Sequence, residues 1–155
     1  MKAESLIATC GGVGFLPLAP GTWGSLLGLV IGFGLLALDE DGWLFLVCLM
    51  MLSPVALWAV NRYLAGSDGD NDPKEVVIDE AIGQWVALTP IALSGGDWRL
   101  WALAFVLFRF FDILIPWPVA AAERLPGAFG VLADDVVAGA LAALCVVLVG
   151  AFHVF

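Results

Sequence analysis

A chain of 155 residues in which 62% are hydrophobic and only 14% charged carries too much apolar side chain for a small soluble domain to hide. Soluble domains average roughly 25% charged residues, and the mean hydropathy here is +1.01. With 15 acids against 6 bases and a net charge of −9, a nucleic-acid ligand and a polybasic lipid-adhering patch are both excluded.

The bilayer is therefore expected to be part of the solvent, and the length predicts one domain, residues 1–155. If the substrate is anionic, something must bridge it to so acidic a chain, and a divalent cation is the economical answer.

Residues 1–10 are short and mixed and do not read as a cleavable signal peptide. The Gly/Pro-rich stretch over 11–24 predicts a structured re-entrant or interfacial loop. An apolar run over 23–38 ends at the polar turn Asp39-Glu40-Asp41-Gly42. The next run, 43–64, is long enough to cross ~30 Å of hydrocarbon. Residues 66–80 are the most polar segment. In them Asp68, Asp70 and Asp72 alternate as at the opening of a calcium loop, but no glutamate follows at the twelfth position. They read as a solvated loop, with Asp72 nearest to any chemistry.

The run over 81–93 is short for a span, and Ser94-Gly95-Gly96-Asp97 reads as a tight turn. Residues 98–115 form a run interrupted only by Arg99, Arg109 and Asp112, and Pro116-Trp117-Pro118 stops it. A loop with Glu123, Arg124, Pro126 and Gly127 leads to the last run, 136–155. Cys10, Cys48 and Cys145 have no metal or disulfide spacing and read as packing residues; His153 reads as a membrane-interface residue.

Runs this long without period-two alternation favour helices over strands. The expected fold is all-α: a small integral membrane helical bundle of about five helices, some short or re-entrant. Threaded through alternate sides, the turns 39–42 and 94–97 fall at one end. The N-terminal loop, 66–80 and 109–135 fall at the other. Five of the six bases (Lys2, Arg62, Lys74, Arg109, Arg124) lie on or near that second end, and only Arg99 does not. The positive-inside rule places that end in the cytoplasm.

Four segments meet at that end. In Leu16-Pro-Leu-Ala-Pro-Gly-Thr-Trp-Gly-Ser25 a proline-rich turn runs into a helix start, with Thr22 as the expected N-cap and free N–H groups able to hold a phosphate oxygen. In Val-Ile-Asp-Glu-Ala-Ile-Gly-Gln84, Asp79 and Glu80 are adjacent acids just before an apolar helix. One cap does not need two acids. Gly83, one turn on, opens room for a close neighbour, and Gln84 adds a neutral polar group at the membrane edge. In Phe108-Arg-Phe-Phe-Asp-Ile-Leu-Ile-Pro-Trp-Pro118, Arg109 and Asp112 share a helix face. They read either as a self-neutralising pair or as a phosphate fork beside a ligand or base. In Gly130-Val-Leu-Ala-Asp-Asp-Val-Val-Ala-Gly139 the device of the second segment recurs: Asp134 and Asp135 at a helix start, with Gly139 one turn from Asp135. Two such acid pairs facing each other make a hard, oxygen-only site that suits Mg2+ and disfavours zinc.

Together these four motifs, in this order over about residues 11–139, resemble the phosphatidylglycerophosphatase A family. The resemblance implies a bacterial inner-membrane, multi-pass, Mg2+-dependent phosphatase whose active site faces the cytoplasm. Its partners would be the bilayer and its substrate, phosphatidylglycerophosphate. The products would be phosphatidylglycerol and inorganic phosphate. Carried onto this chain, the family's acidic positions are Asp79, Glu80, Asp112, Asp134 and Asp135, and its phosphate-binding positions are Gly21, Thr22, Ser25 and Arg109. Asp79, Glu80, Asp134 and Asp135 would hold the metal, and Asp112 would be base, ligand or nucleophile. Trp85, Trp117 and the apolar helices would keep the acyl chains in the bilayer.

The chain departs from the family pattern at Ile115, where Lys is usual, and at Pro118-Val119-Ala120, where Pro-Ile-Arg is usual. The family's Arg-rich, double-glycine stretch is reduced over 123–130. Alternatives are a phosphatase of another lipid phosphate, an inactive structural relative, and a non-enzymatic cation- or proton-binding membrane protein. Against a relay stands the run 136–149, which has no ionisable group except Cys145.

Overall fold

The computed structural model describes residues 2–67 and 73–151. Asp68, Asp70, Asp72 and His153 lie outside these residues. Within them the chain is all helical: α1 (Ala3–Ala8), a 3-10 turn (Val13–Phe15), α2 (Pro20–Leu38), α3 (Trp43–Leu64), α4 (Ile78–Ser94), α5 (Trp98–Leu114), α6 (Val119–Ala122) and α7 (Ala128–Ala151). The five long helices coincide with the five apolar runs. Two short helices, α1 and α6, bring the number among the described residues to seven rather than about five. Three of them, α2, α3 and α7, are long and apolar enough to cross a membrane.

Two helix starts differ from the sequence expectation. α2 begins at Pro20, not near Trp23, and its N-cap is Ala19, without a side-chain cap. Thr22 is therefore in the first turn and is not the N-cap. The physical reason is Pro20 itself, whose fixed φ and missing N–H suit the first helical position. α7 begins at Ala128, two turns before residue 136. Asp134 and Asp135 thus lie inside the helix and not at its start. Gly130 lets this first turn pack against the Leu125 carbonyl.

α4 is the central helix, with eleven of its 17 residues buried. Rows of glycine set its neighbours. On α2, Gly24 faces Val77, Gly28 faces Ala81 and Gly32 faces Leu88, so α2 and α4 run parallel. A Cβ at Gly28 would sit 3.0 Å from the Ala81 backbone, so tight that the two helices would have to give by a few tenths of an ångström. The Trp85 indole N–H donates to the Gly28 carbonyl at 2.7 Å and ties the same two helices together. α7 also runs parallel to α4: Gly83 meets Asp135, and Gly139 meets Gly83 and Val86. α3 runs the other way, with the Phe45 and Trp85 rings 5.4 Å apart and the Tyr63 hydroxyl donating to Glu75 Oε1 at 3.0 Å.

The N-termini of α2, α4 and α7 and the C-termini of α3 and α5 therefore share one end of the bundle, as the alternating threading requires. The N-terminal segment closes over this end. Val77 N–H donates to the Ala8 carbonyl at 2.9 Å, and Gly14 lies directly against the Glu75 carbonyl.

The core is built around α4 from Phe45, Leu88, Ile91, Phe108, Ala138, Ala142 and Val146. A second cluster, with Ala8, Val60, Ile78, Ile82 and Leu132, lies under the acidic end. Outside, the pattern is inverted relative to a soluble protein: Val30, Phe33, Met50, Met51, Val106, Phe110, Leu144 and Val147 are exposed. An apolar surface of this extent marks contact with something other than water.

Candidate active site

The site is assembled from four helix segments. α4 contributes Asp79 and Glu80 from its first turn, where the helix dipole favours negative charge. α7 contributes Asp135, and the contact between Gly83 and the Asp135 backbone is what brings it in. A Cβ at Gly83 would lie 2.7 Å from the Asp135 carbonyl oxygen and 2.6 Å from the Phe108 ring. As a result, Asp79, Glu80 and Asp135 each place a carboxylate oxygen within 4.8 Å of the others. Asp79 and Asp135 are buried and Glu80 is half-buried.

α5 contributes Arg109 and Asp112, which pair at 2.7 Å between Nη1 and Oδ2. Glu80 lies within electrostatic range of both Asp112 and Arg109, and Asp135 within range of Glu80, Asp112 and Asp134. α2 contributes its N-terminus. Arg109 Nη1 donates to Ser25 Oγ at 3.2 Å, and Ser25 Oγ donates to the Gly21 carbonyl at 2.8 Å. Gly21 lies directly against Glu80 Oε1, and a Cβ there would be 3.2 Å from Arg109 Nη1. The first N–H groups of a helix have no intrahelical acceptor, so those of Gly21 and Thr22 are available at this end.

Most sequence-predicted residues thus converge. Asp79, Glu80, Asp135, Arg109, Asp112, Gly21 and Ser25 form one contiguous cluster, with Thr22 on the adjoining turn. Asp134 stands outside the carboxylate trio. It is half-buried, and its Oδ1 accepts the Asp135 N–H at 2.9 Å.

Two other readings change. Trp85 does not face lipid: it is 5% exposed and packs in the core, whereas Trp117 is 84% exposed. Gln84 is fully buried within the bundle. It is one turn beyond Glu80 on the same helix face, a spacing that could have marked it as a site neighbour.

The cluster is rich in polar atoms without partners. Asp79 Oδ1, Glu80 Oε2, Asp135 Oδ1, Arg109 Nε and both polar atoms of the Gln84 amide are buried with no hydrogen-bond partner among the described residues. Buried carboxylates are ordinarily hydrogen-bonded, paired or bound to metal. Three orphaned carboxylate oxygens in one such trio fit a hard divalent cation. Cys10, in the turn after α1, offers no competing thiolate. Burial first, and the negative charge of Glu80 second, push its thiol up to about 12, and its Sγ donates to the Val77 carbonyl at 3.8 Å. A polar cavity of about 430 Å3 lined by Lys2, Arg62, Tyr63 and Glu75 among others includes none of these carboxylates.

Comparison with known proteins agrees with this arrangement. The phosphatidylglycerophosphatase A family pattern matches residues 6–150. A Bacteroides thetaiotaomicron protein, provisionally named a phosphatidylinositol-3-phosphatase, is 39% identical over 86% of this chain and 85% of its own length. Proteins named phosphatidylglycerophosphatase A are similar as well. The one from Haemophilus influenzae is 37% identical over 91% of this chain and 85% of its own. The one from Escherichia coli is 33% identical over 89% and 78%. No solved structure matches. Motifs, converging site and near-complete sequence coverage lead to one conclusion: the chain belongs to the phosphatidylglycerophosphatase A family.

Proposed function

We propose that this protein hydrolyses the phosphate monoester of phosphatidylglycerophosphate to phosphatidylglycerol and inorganic phosphate. The reading places Mg2+ at Asp79, Glu80 and Asp135, with Asp134 beside them. The observation that carries it is the buried trio of carboxylates, with oxygens within 4.8 Å and three of them orphaned, next to an arginine. When bound, the cation offsets phosphate charge and polarises the phosphoryl group.

The chain's own residues do the rest. Arg109, held by Asp112 and Ser25, offers its remaining N–H groups to the phosphate oxygens as a fork. The first-turn N–H groups of Gly21 and Thr22 add uncharged donors to the same oxygens. A side chain at Gly21 would displace the Glu80 carboxylate from its present position. Asp112 lies outside the trio, paired with Arg109 and within electrostatic range of both Glu80 and Asp135. In this reading it accepts the proton of the attacking water. The new oxygen–phosphorus bond forms as the bond from phosphorus to the glycerol oxygen breaks. The proton ends on that oxygen, leaving the lipid alcohol and inorganic phosphate.

We place the protein in the bacterial inner membrane, crossing it with α2, α3 and α7, with the acidic end in the cytoplasm. The apolar outer faces and the five bases of that end support this. A second lipid substrate has two observations in its favour. One relative is named for a phosphoinositide activity, and Ile115 replaces the usual lysine at the end of α5.

The test is phosphate release by purified protein from phosphatidylglycerophosphate, phosphatidylinositol 3-phosphate and phosphatidate at equal surface concentration. The expected result is fastest release from phosphatidylglycerophosphate. Faster release from either of the others moves the substrate assignment. Release from none of them, with Mg2+ still bound, favours a cation-binding protein without this activity.

A further inference from the structure

α2 and α5 are antiparallel and meet twice. At the acidic end Arg109 donates to Ser25. Farther along, the Phe33 and Trp101 rings stand edge to face, 5.5 Å apart. On α2, Gly21, Ser25, Leu29 and Phe33 recur every four residues, which is one face of the helix. On α5, Arg109, Phe105, Trp101 and Trp98 follow the matching spacing. One seam therefore runs from the phosphate-binding groups to the aromatic pair.

Its character changes abruptly along the way. Past Ser25 and Arg109 it widens into a cavity of about 350 Å3 lined by Leu29, Val30, Phe33, Gly96, Trp98 and Trp101, without a charged residue. The cavity opens sideways, since Val30, Phe33 and Trp98 are 60%, 63% and 73% exposed. From Ser25 to Phe33 is eight residues, or ~12 Å of helix, and from Arg109 to Trp98 eleven, or ~16 Å, so the cavity reaches toward the end opposite the acids. One leaflet of hydrocarbon is ~15 Å deep, half of the usual ~30 Å.

We infer that this seam holds an acyl chain of the lipid whose phosphate sits at Arg109, and that the lipid reaches the site sideways between α2 and α5. The inference rests on the lipid-phosphatase reading. The occupant follows from the lining and the continuity. A polar headgroup or free phosphate finds no partner in the apolar cavity, whereas a hydrocarbon chain hanging from a phosphate at Ser25 and Arg109 would meet its lining one helix turn on, at Leu29.

The experiment has two arms. The first uses phosphatidylglycerophosphate with a photoreactive diazirine in mid-chain, bound to the full-length protein in nanodiscs, irradiated and mapped by peptide. Labelling is expected at 29–33 and 98–101. Excess unlabelled phosphatidylglycerophosphate, but not phosphatidylcholine, should displace it. Label spread over the outer faces of α3 and α7, or not displaced, overturns the seam.

The second arm compares kcat/KM for dipalmitoyl and dihexanoyl phosphatidylglycerophosphate in wild type and Val30→Trp. Filling the cavity is expected to lower the long-chain to short-chain ratio about tenfold, the scale of roughly two buried methylenes. An unchanged ratio overturns the inference. Displaceable label on the seam without any phosphate release supports the seam and removes the hydrolysis reading. Release without seam labelling does the reverse.

Discussion

At the scale of single residues, the trio has conflicting requirements. Three carboxylates share a buried volume with one arginine nearby, an arrangement that costs stability unless a cation fills it. Asp79→Asn or Asp135→Asn should therefore lower phosphate release by at least ~100-fold, the scale of losing a preorganised charged group. The same variants should insert and purify normally. Without Mg2+ they should melt no lower than wild type, because one buried like charge is gone. Phosphate release together with thermal unfolding in detergent checks both parts, and wild-type rates in either variant would remove the metal site. The adjacent acid pairs make this site legible in the sequence, since no helix cap needs two acids. Gln84 and Trp85 are harder to place. A glutamine one turn beyond Glu80, at the head of an apolar run, looks interfacial by sequence, and a tryptophan beside it resembles a lipid anchor. The packing of α2 and α7 on α4 buries both; Gly83 announces a close neighbour on one side of α4, but not that helices cover Gln84 and Trp85 as well.

At the scale of helices, glycine sets the geometry of the chemistry. Gly83 admits the Asp135 backbone, and Gly139 admits Gly83 in turn. Gly83→Ala is expected to push α4 from α7, cost about 1–3 kcal/mol through overpacking, and cut turnover although no acid has changed. Gly34 on α2 has open space where a Cβ would go. Gly34→Ala should leave turnover intact and stabilise by up to ~1 kcal/mol through helix propensity. Melting temperature and phosphate release of the two variants side by side check the contrast; equal behaviour would remove the packing argument. The glycine one turn beyond each acid pair is visible in the sequence. The true starts of α2 and α7 are not, because Pro20 looks like part of a loop until it is recognised as a first-turn residue. Gly127 and Gly130 likewise hide the helix that begins between them.

At the scale of the whole molecule, a polar site is held inside an apolar shell. The five long helices follow from the length of the apolar runs, and alternating their direction collects the acids at one end without reference to any contact. What the runs do not supply is which helix is central. α4 is short and carries two acids in its first turn, yet it has the most buried residues of the five, because α2 and α7 both pack on it through glycine. That burial strips water from the carboxylates and makes a cation the expected partner of the site. The most direct measurement is phosphate release from phosphatidylglycerophosphate by purified protein in detergent, first with Mg2+, then with excess chelator, then with Mg2+ restored. The expected result is release with Mg2+, none with chelator, and recovery on restoration. Release that continues in chelator, or none with Mg2+ present, would contradict the carboxylate site as the seat of a metal-assisted lipid phosphatase.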